Sequence, residues 1–160
     1  MRLEDHFKFR NHLCMVFEIL AFDLYRDIKD KSMKGFQTME QIKGIVCQLV
    51  EGLIHLKESG ITHCDLKPEN ILYANEDRKE IKIVDLGAAK GNRQKGFNYV
   101  CSRYYRAPEI SIGGLSYSYP SDMWSLGCVV AEMFTGSPLF PAHTEHELLE
   151  FHQMFCGPHP

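Results

Sequence analysis

Apolar residues recur most regularly between positions 38 and 60. Ile42, Ile45, Val46, Leu49, Leu53 and Leu56 are spaced three and four apart, the period of one helix face. Thr38 and Gln41 ahead of them have capping-box spacing, and Gly60 supplies a stop. Gly44 and Gly52 interrupt the run and cost roughly 1 kcal/mol each against Ala, so packing must hold this helix together. A second helix is predicted over 121–135, ended by Gly136 and Pro138. Its apolar residues Met123, Trp124, Leu126, Val129, Val130, Met133 and Phe134 lie on every side, the pattern of a helix buried over most of its surface. Trp124 and Phe134 therefore read as core. A third helix opens on the capping box Thr144 and Glu147 and closes at Gly157-Pro158.

Strand signals precede and separate these helices. Residues 6–20 read as two short strands broken at Arg10-Asn11-His12, and Leu13 to Glu18 has the apolar continuity of a buried strand. Ile71 to Ala74 and Ile81 to Val84 form a predicted hairpin around the polar turn Asn75 to Glu80. Residues 87–107 show little periodicity. Strands first and helices afterwards make an α+β pattern rather than a repeating βαβ one.

Composition narrows the possibilities. The 160 residues are 44% hydrophobic and 24% charged, ordinary globular usage that argues against disorder and fits one domain or a piece of a larger one. A net charge of −3 argues against an electrostatic nucleic-acid binder. There is no apolar run of about 18 residues for a membrane span, and Met1 to His12 lacks a signal-peptide core. Cys14, Cys47, Cys64, Cys101, Cys128 and Cys156 are widely scattered, without C-x-x-C spacing, as free thiols of a reducing compartment would be. The expectation is a soluble, intracellular protein, cytoplasmic or nuclear.

Candidate chemistry concentrates between His63 and Gly87. Asn70 immediately precedes the first hairpin strand and Asp85 follows the second, so antiparallel pairing brings an amide oxygen and a carboxylate to one edge. Two hard oxygen ligands with open positions suit Mg²⁺, which keeps waters and completes its shell from phosphates. Asp65 and Lys67 lie in the loop feeding that edge. A carboxylate there can accept a hydroxyl proton, and a lysine can neutralise a transferred phosphoryl group.

These residues stand in strings that resemble a known family. His63 to Asn70, HCDLKPEN, resembles the catalytic loop of eukaryotic protein kinases, Asp85-Leu86-Gly87 their metal-binding DFG, and Ala107-Pro108-Glu109 their APE. LCMVFEIL at 13–20 looks like the strand entering the hinge between lobes, and SDMWSLG at 121–127 like the start of the buried C-lobe helix. SRYYRAPE at 102–109 is similar to the group holding the cyclin-dependent and MAP kinases. Cys64 before the Asp, the LCMVFE strand, and Tyr99 four residues before Arg103 resemble the dual-specificity tyrosine-regulated kinases, with homeodomain-interacting kinases as the rival.

The resemblance implies roles. Asp65 would be the catalytic base, Lys67 would contact the γ-phosphate of ATP, and Asn70 and Asp85 would hold Mg²⁺. Glu18 and Leu20 would offer hinge backbone to adenine, with Phe17 as gatekeeper behind it and Leu72 beneath. Asp23 would reach the ribose, Glu69 would complete the nucleotide-binding set, and Asp122 would anchor the catalytic loop. Arginine usually precedes the catalytic Asp; here Cys64 stands there, leaving Arg103 and Arg106 to bind a phosphorylated Tyr99. Leu86 in the DFG position should preserve apolar packing under the metal site. His146-Glu147-Leu148-Leu149-Glu150 lacks the second His of a zinc motif, and His143, His146 and His152 are expected on a solvated face. Tyr104 and Tyr105 are expected in the core of the substrate-binding loop.

Residues 1–20 would then be the last N-lobe strands and hinge. Residues 21–160 would be part of a mainly helical C-lobe, with catalytic loop 63–70 and activation segment 85–109. The Gly-rich loop, strand lysine and helix glutamate of a kinase belong upstream of the hinge, and the 12 residues before Leu13 contain no G-x-G-x-x-G or V-A-I-K. Glu109 would also lack its usual arginine from a later helix. The expectation is a kinase domain cut at both ends, from an enzyme using ATP and Mg²⁺ to phosphorylate protein Ser and Thr and its own Tyr99. The 160 residues alone would be inactive. The alternative is a kinase-like binding or scaffold module, which would have no need of Asp65, Lys67, Asn70 and Asp85 together.

Overall fold

A computed structural model describes residues 1–31, 38–91, 101–113 and 117–158. Strands β1 (Leu3–Phe9) and β2 (His12–Phe17) form an antiparallel ribbon with Phe9 opposite His12. Its two-residue turn, Arg10 and Asn11, has φ of 46° and 63°, the pair of positive values that type I′ turns require. The buried strand predicted over Leu13 to Glu18 forms, but it is not buried. Leu13 is 62% exposed, and Met15 and Val16 are also open to solvent. Among the described residues nothing packs across the ribbon, so its apolar continuity meets no cover.

The chain from Phe17 then lies along strand β4 (Ile71–Tyr73). Ala21 N–H donates to the Tyr73 carbonyl at 2.9 Å and Tyr73 N–H to the Phe22 carbonyl at 2.9 Å. Helix α1 (Leu24–Lys31) follows and buries Leu24, Asp27 and Ile28. Asp27 is an interior charge and is paired as burial demands, with the Tyr73 hydroxyl at 2.9 Å and Arg78 at 2.9 Å.

Helix α2 (Met39–Glu58) carries the predicted cap, with Gln41 N–H donating to Thr38 Oγ1 and Thr38 N–H to Gln41 Oε1. It buries Ile42, Ile45, Leu49 and Leu53. Gly52 has a packing reason, since a Cβ there would stand 3.0 Å from Cδ1 of Ile83 on strand β5 (Ile81–Ile83). β4 and β5 pair antiparallel with Ile71 opposite Ile83, as the hairpin prediction required. A second small sheet joins β3 (Ile61–Thr62) to β6 (Lys90–Gly91), and two-residue strands are too short to leave a pattern.

A short helix α3 (Pro108–Ser111) precedes α4 (Tyr119–Thr135), which starts two residues before the predicted boundary because Ser118 and Ser121 form its capping box. Leu126, Cys128, Val129 and Met133 of α4 pack into the common core with α2 and the hairpin. Phe134 is a correction. It is 62% exposed and Met123 is also open, because no described element covers that side of α4.

Helix α5 (Glu145–Cys156) has the expected capping box. His146 faces solvent and pairs with Glu150 at 3.3 Å. His152 does not share that face. It is fully buried, edge-on to Trp124 and Phe140 at 5.1 and 5.0 Å between ring centroids. Aromatic packing at the α4–α5 junction claims it. No helix among the described residues is long and apolar enough to cross a membrane.

One buried polar pair inside this core makes stability sensitive to pH. The Tyr105 hydroxyl donates to Glu132 Oε2 at 2.6 Å, and Glu132 is fully buried. Burial raises the Glu132 pKa above its ordinary 4.5, against the opposing hydrogen bond from Tyr105. A carboxyl raised in the fold contributes stability that is complete below its unfolded value and lost as pH rises through its folded value. Glu132→Gln cannot ionise, so its urea midpoint should gain on the parent's as pH climbs above 4.5. A midpoint difference that stays flat with pH, or that moves the other way, would contradict the assignment.

Candidate functional site

The loop from His63 to Asn70 leaves β3 and enters β4 through the 3-10 turn Pro68–Asn70. Its shape is set from α4. The Asp122 carboxylate accepts His63 N–H at 2.8 Å through one oxygen and Cys64 N–H at 2.9 Å through the other. Burial raises the Asp122 pKa, while those two backbone donors oppose the rise. They also hold Cys64 in the left-handed region, at φ 68°, immediately before Asp65.

His63, fully buried, ties the loop to the hairpin. Asp65 N–H donates to its Nδ1 at 3.2 Å, which leaves Nε2 carrying the hydrogen given to the Val84 carbonyl at 2.9 Å. Val84 N–H donates to the Asn70 carbonyl at 3.0 Å. The two hairpin ends, and hence Asn70 and Asp85, are thereby brought to one edge.

Asp65 is gripped on both oxygens. Oδ1 accepts the Ser102 N–H at 2.9 Å and hydroxyl at 3.1 Å. Oδ2 accepts Lys67 Nζ at 2.8 Å, and the Asn70 amide nitrogen donates to the Asp65 carbonyl at 2.8 Å. Lys67 also donates to Ser102 Oγ at 3.0 Å. Burial alone disfavours the Lys67 ammonium, but its hydrogen bond to Asp65 and the nearby Asp65, Glu69 and Asp85 carboxylates together raise its pKa. Lys67 therefore stays charged.

Asp85 is exposed, in left-handed backbone at φ 63°, with Oδ1 accepting Gly87 N–H at 3.1 Å. The Asn70 amide nitrogen is committed to Asp65, so its amide oxygen is the atom left to coordinate. An exposed carboxylate beside the amide oxygen of the buried Asn70 makes a pair of hard oxygens of the kind that fits Mg²⁺. Leu86 departs from expectation. It is 50% exposed and packs under nothing, because no described element faces that side of the site.

The residues expected to face a nucleotide are less tightly grouped. Phe17 and Leu20 are half-buried along the hinge. Glu18 N–H bonds the Arg2 carbonyl at 3.1 Å, and its carboxylate takes Lys82 Nζ at 2.8 Å and Arg2 N–H at 2.6 Å. The Lys82 bond, then the Arg2 bond, lower the Glu18 pKa. Asp23 and Leu72 meet in an isolated antiparallel bridge, and Asp23 Oδ1 also caps α1 through Arg26 N–H at 2.6 Å. Glu69 lies apart from the hinge, lining a hollow of about 530 Å³ with Tyr25, Lys29, Ser102, Arg103 and Tyr104.

In the stretch expected to be the activation segment, Tyr99 lies outside the described residues. Arg106 is buried, and both it and Arg103 approach Glu145. Burial, with Asp122 next, pushes the Cys64 thiol up to about 11, so it stays neutral and replaces none of an arginine's charge. All six cysteines are free. Ser102, Lys82 and Glu145 are the residues sequence reasoning passed over. Ser102 stood inside a quoted motif, but a serine alone signals nothing; the other two act across 64 and 39 residues of chain.

Comparison with known proteins gives the family. The chain is 45% identical to the dual specificity protein kinase YAK1 of Saccharomyces cerevisiae over 93% of its own length and 18% of that protein's. It is 44% identical to the DYRK-family kinase pom1 of Schizosaccharomyces pombe, over 96% of this chain and 14% of pom1. Human dual specificity tyrosine-phosphorylation-regulated kinase 3 is also 44% identical, over 91% of this chain and 24% of that protein. The chain thus spans about a fifth of the length of the curated relatives it matches. The family model described as protein kinase domain matches residues 1–156, and the chain belongs to the protein kinase domain family.

Proposed function

We propose that this chain carries the catalytic centre of an ATP-dependent kinase acting on serine and threonine hydroxyls of proteins, with autophosphorylation of its own Tyr99. The observation that carries this reading is the grip on Asp65. A carboxylate held on both oxygens by Ser102 and Lys67 points in one direction and needs no reorganisation to receive a hydroxyl proton. Lys67 stays cationic beside it and neutralises charge on the transferred phosphoryl group. Asn70 and Asp85 would hold Mg²⁺, which when bound supplies further neutralisation of phosphate charge.

The hinge from Phe17 to Asp23 would take the nucleotide, through backbone groups of Glu18 and Leu20, the Leu72 side chain and the Asp23 carboxylate. Glu69 stands outside that set, in the hollow beside Ser102 and Arg103. The tie between Glu18 and Lys82 supports this use, since it fixes the hinge to strand β5, which leads to Asp85. Arg103 and Arg106 would receive phosphorylated Tyr99 as charge-assisted hydrogen-bond donors. ATP and protein substrates are the partners, nucleic acid and membrane are not, and the compartment is intracellular, cytoplasmic or nuclear.

Three measurements test the reading. In the longest natural protein carrying this sequence, Asp65→Asn should lower kcat for peptide phosphorylation by about 10²–10⁴-fold and leave nucleotide affinity in place. A parent-like rate would remove Asp65 from the role. Incubation of that protein with ATP should add phosphate at Tyr99, read by mass spectrometry; an unmodified Tyr99 in an otherwise active enzyme would refute autophosphorylation there. Residues 1–160 by themselves hold no G-x-G-x-x-G and should transfer no phosphate, and robust turnover by the purified 160 residues would overturn that expectation.

A further inference from the structure

Arg103 and Arg106 converge on the start of α5. Arg106 NH1 donates to Glu145 Oε2 at 2.6 Å, and Arg103 Nε lies 3.9 Å from the same oxygen. Arg103 NH1 also donates to the His143 carbonyl at 2.7 Å. The Arg106 side chain is only 3% exposed, so bulk water screens its charge poorly and a carboxylate from 39 residues away sits against it. The start of α5 is a firm base for that carboxylate. Its capping box is closed, and Glu147 Oε2 accepts both His143 N–H at 2.6 Å and Thr144 N–H at 3.2 Å. The helix N-terminus also favours a negative Glu145.

The other end of the Arg106 guanidinium reaches the catalytic loop through one peptide. Its NH2 donates to the Cys101 carbonyl at 2.6 Å. Cys101 has φ 62°, a left-handed conformation that a residue with a Cβ keeps only when its surroundings impose it. That conformation directs the next residue, and Ser102 gives both its N–H and its hydroxyl to Asp65 Oδ1.

We infer that Glu145 is a positioning residue for the phosphoryl-transfer centre, holding Arg106 against the Cys101 carbonyl so that Ser102 stays on Asp65. The inference rests on the kinase reading for its effect on rate, and on geometry alone for its effect on structure. It also gives Arg106 a second task beside the one proposed above. A phosphate arriving on the segment would meet an arginine already oriented by Glu145.

The test uses the longest natural protein carrying this sequence. Glu145→Ala and Glu145→Gln are compared with the parent by peptide-phosphorylation kinetics and by amide hydrogen exchange. Loss of the carboxylate should lower kcat roughly ten- to a hundredfold, the scale of a small misplacement at a catalytic group, while KM for ATP stays in the parent's range. Exchange across 101–106 should accelerate, with the α4 amides at 126–133 unchanged. Arg106→Met combined with Glu145→Ala should be no slower than Arg106→Met alone, because both cut one connection.

If Glu145→Ala unfolds, seen as faster exchange in α4 as well, Glu145→Gln decides by the same criteria, since it keeps the volume and loses only the charge. A folded variant with parent-like kcat and parent-like exchange at 101–106 overturns the inference. A parent that transfers no phosphate sinks the kinase reading instead, and exchange at 101–106 still decides the role of Glu145.

Discussion

The site depends on one buried carboxylate. Asp122 reaches from α4 to the backbone N–H groups of His63 and Cys64, and this bond pair holds the left-handed turn at Cys64 that leads into Asp65. The interaction is expensive to build, because burial disfavours the charge of Asp122 and only donors aimed at both oxygens offset that cost. It is also hard to replace. An amide at position 122 would present an N–H to one of those two N–H groups, leaving a buried donor without an acceptor, at about 1–3 kcal/mol. The helix that looks most like pure core, on hydrophobic pattern, is thus the one that shapes the loop.

Around that anchor, the hairpin and the hinge are tied by bonds that cross long stretches of sequence. His63 grips Val84, Gln48 of α2 takes Ile81 N–H and donates to the Lys79 carbonyl, and Lys82 pairs with Glu18. These contacts make the position of Asp85 follow from that of Asp65. Gly52 shows the same closeness sterically, since a Cβ there would stand 3.0 Å from the Ile83 side chain, which would have to give way on the face where α2 meets β5.

Much of this was legible in the sequence, for definite reasons. The two long helices, their caps and the hairpin are written in local periodicity and capping chemistry, which α2 and α5 reproduce hydrogen bond for hydrogen bond. The convergence of Asn70 with Asp85 followed from antiparallel pairing alone. What periodicity misjudged was cover. Leu13, Leu86 and Phe134 are apolar residues whose exposure depends on what lies opposite, and no described element lies opposite them. His152 failed in the other direction, because His146 on the same helix is solvated and only the tertiary meeting of Trp124 and Phe140 shows that six residues later, on a different face, the helix points inward. Ser102 and Glu145 were illegible for a third reason: each is an ordinary residue whose part is set by a partner far away in sequence.

Cys64 explains why such distant partners are needed. An arginine at position 64 would place a charge beside Asp65; the cysteine carries none, because burial keeps its thiol protonated. Among the described residues, the charged side chains that meet at 102–106 include Arg103, Arg106 and Glu145. Breaking a buried pair by removing one member typically costs about 3–5 kcal/mol, a large share of the 5–15 kcal/mol that holds a whole domain together. Because Arg106 lies almost wholly buried between Glu145 and the Cys101 carbonyl, that cost falls on the peptide beside Asp65 rather than on the surface. Asp65 is therefore held from two sides by two different helices: α4 fixes the loop that carries it, and α5 fixes the serine that orients it.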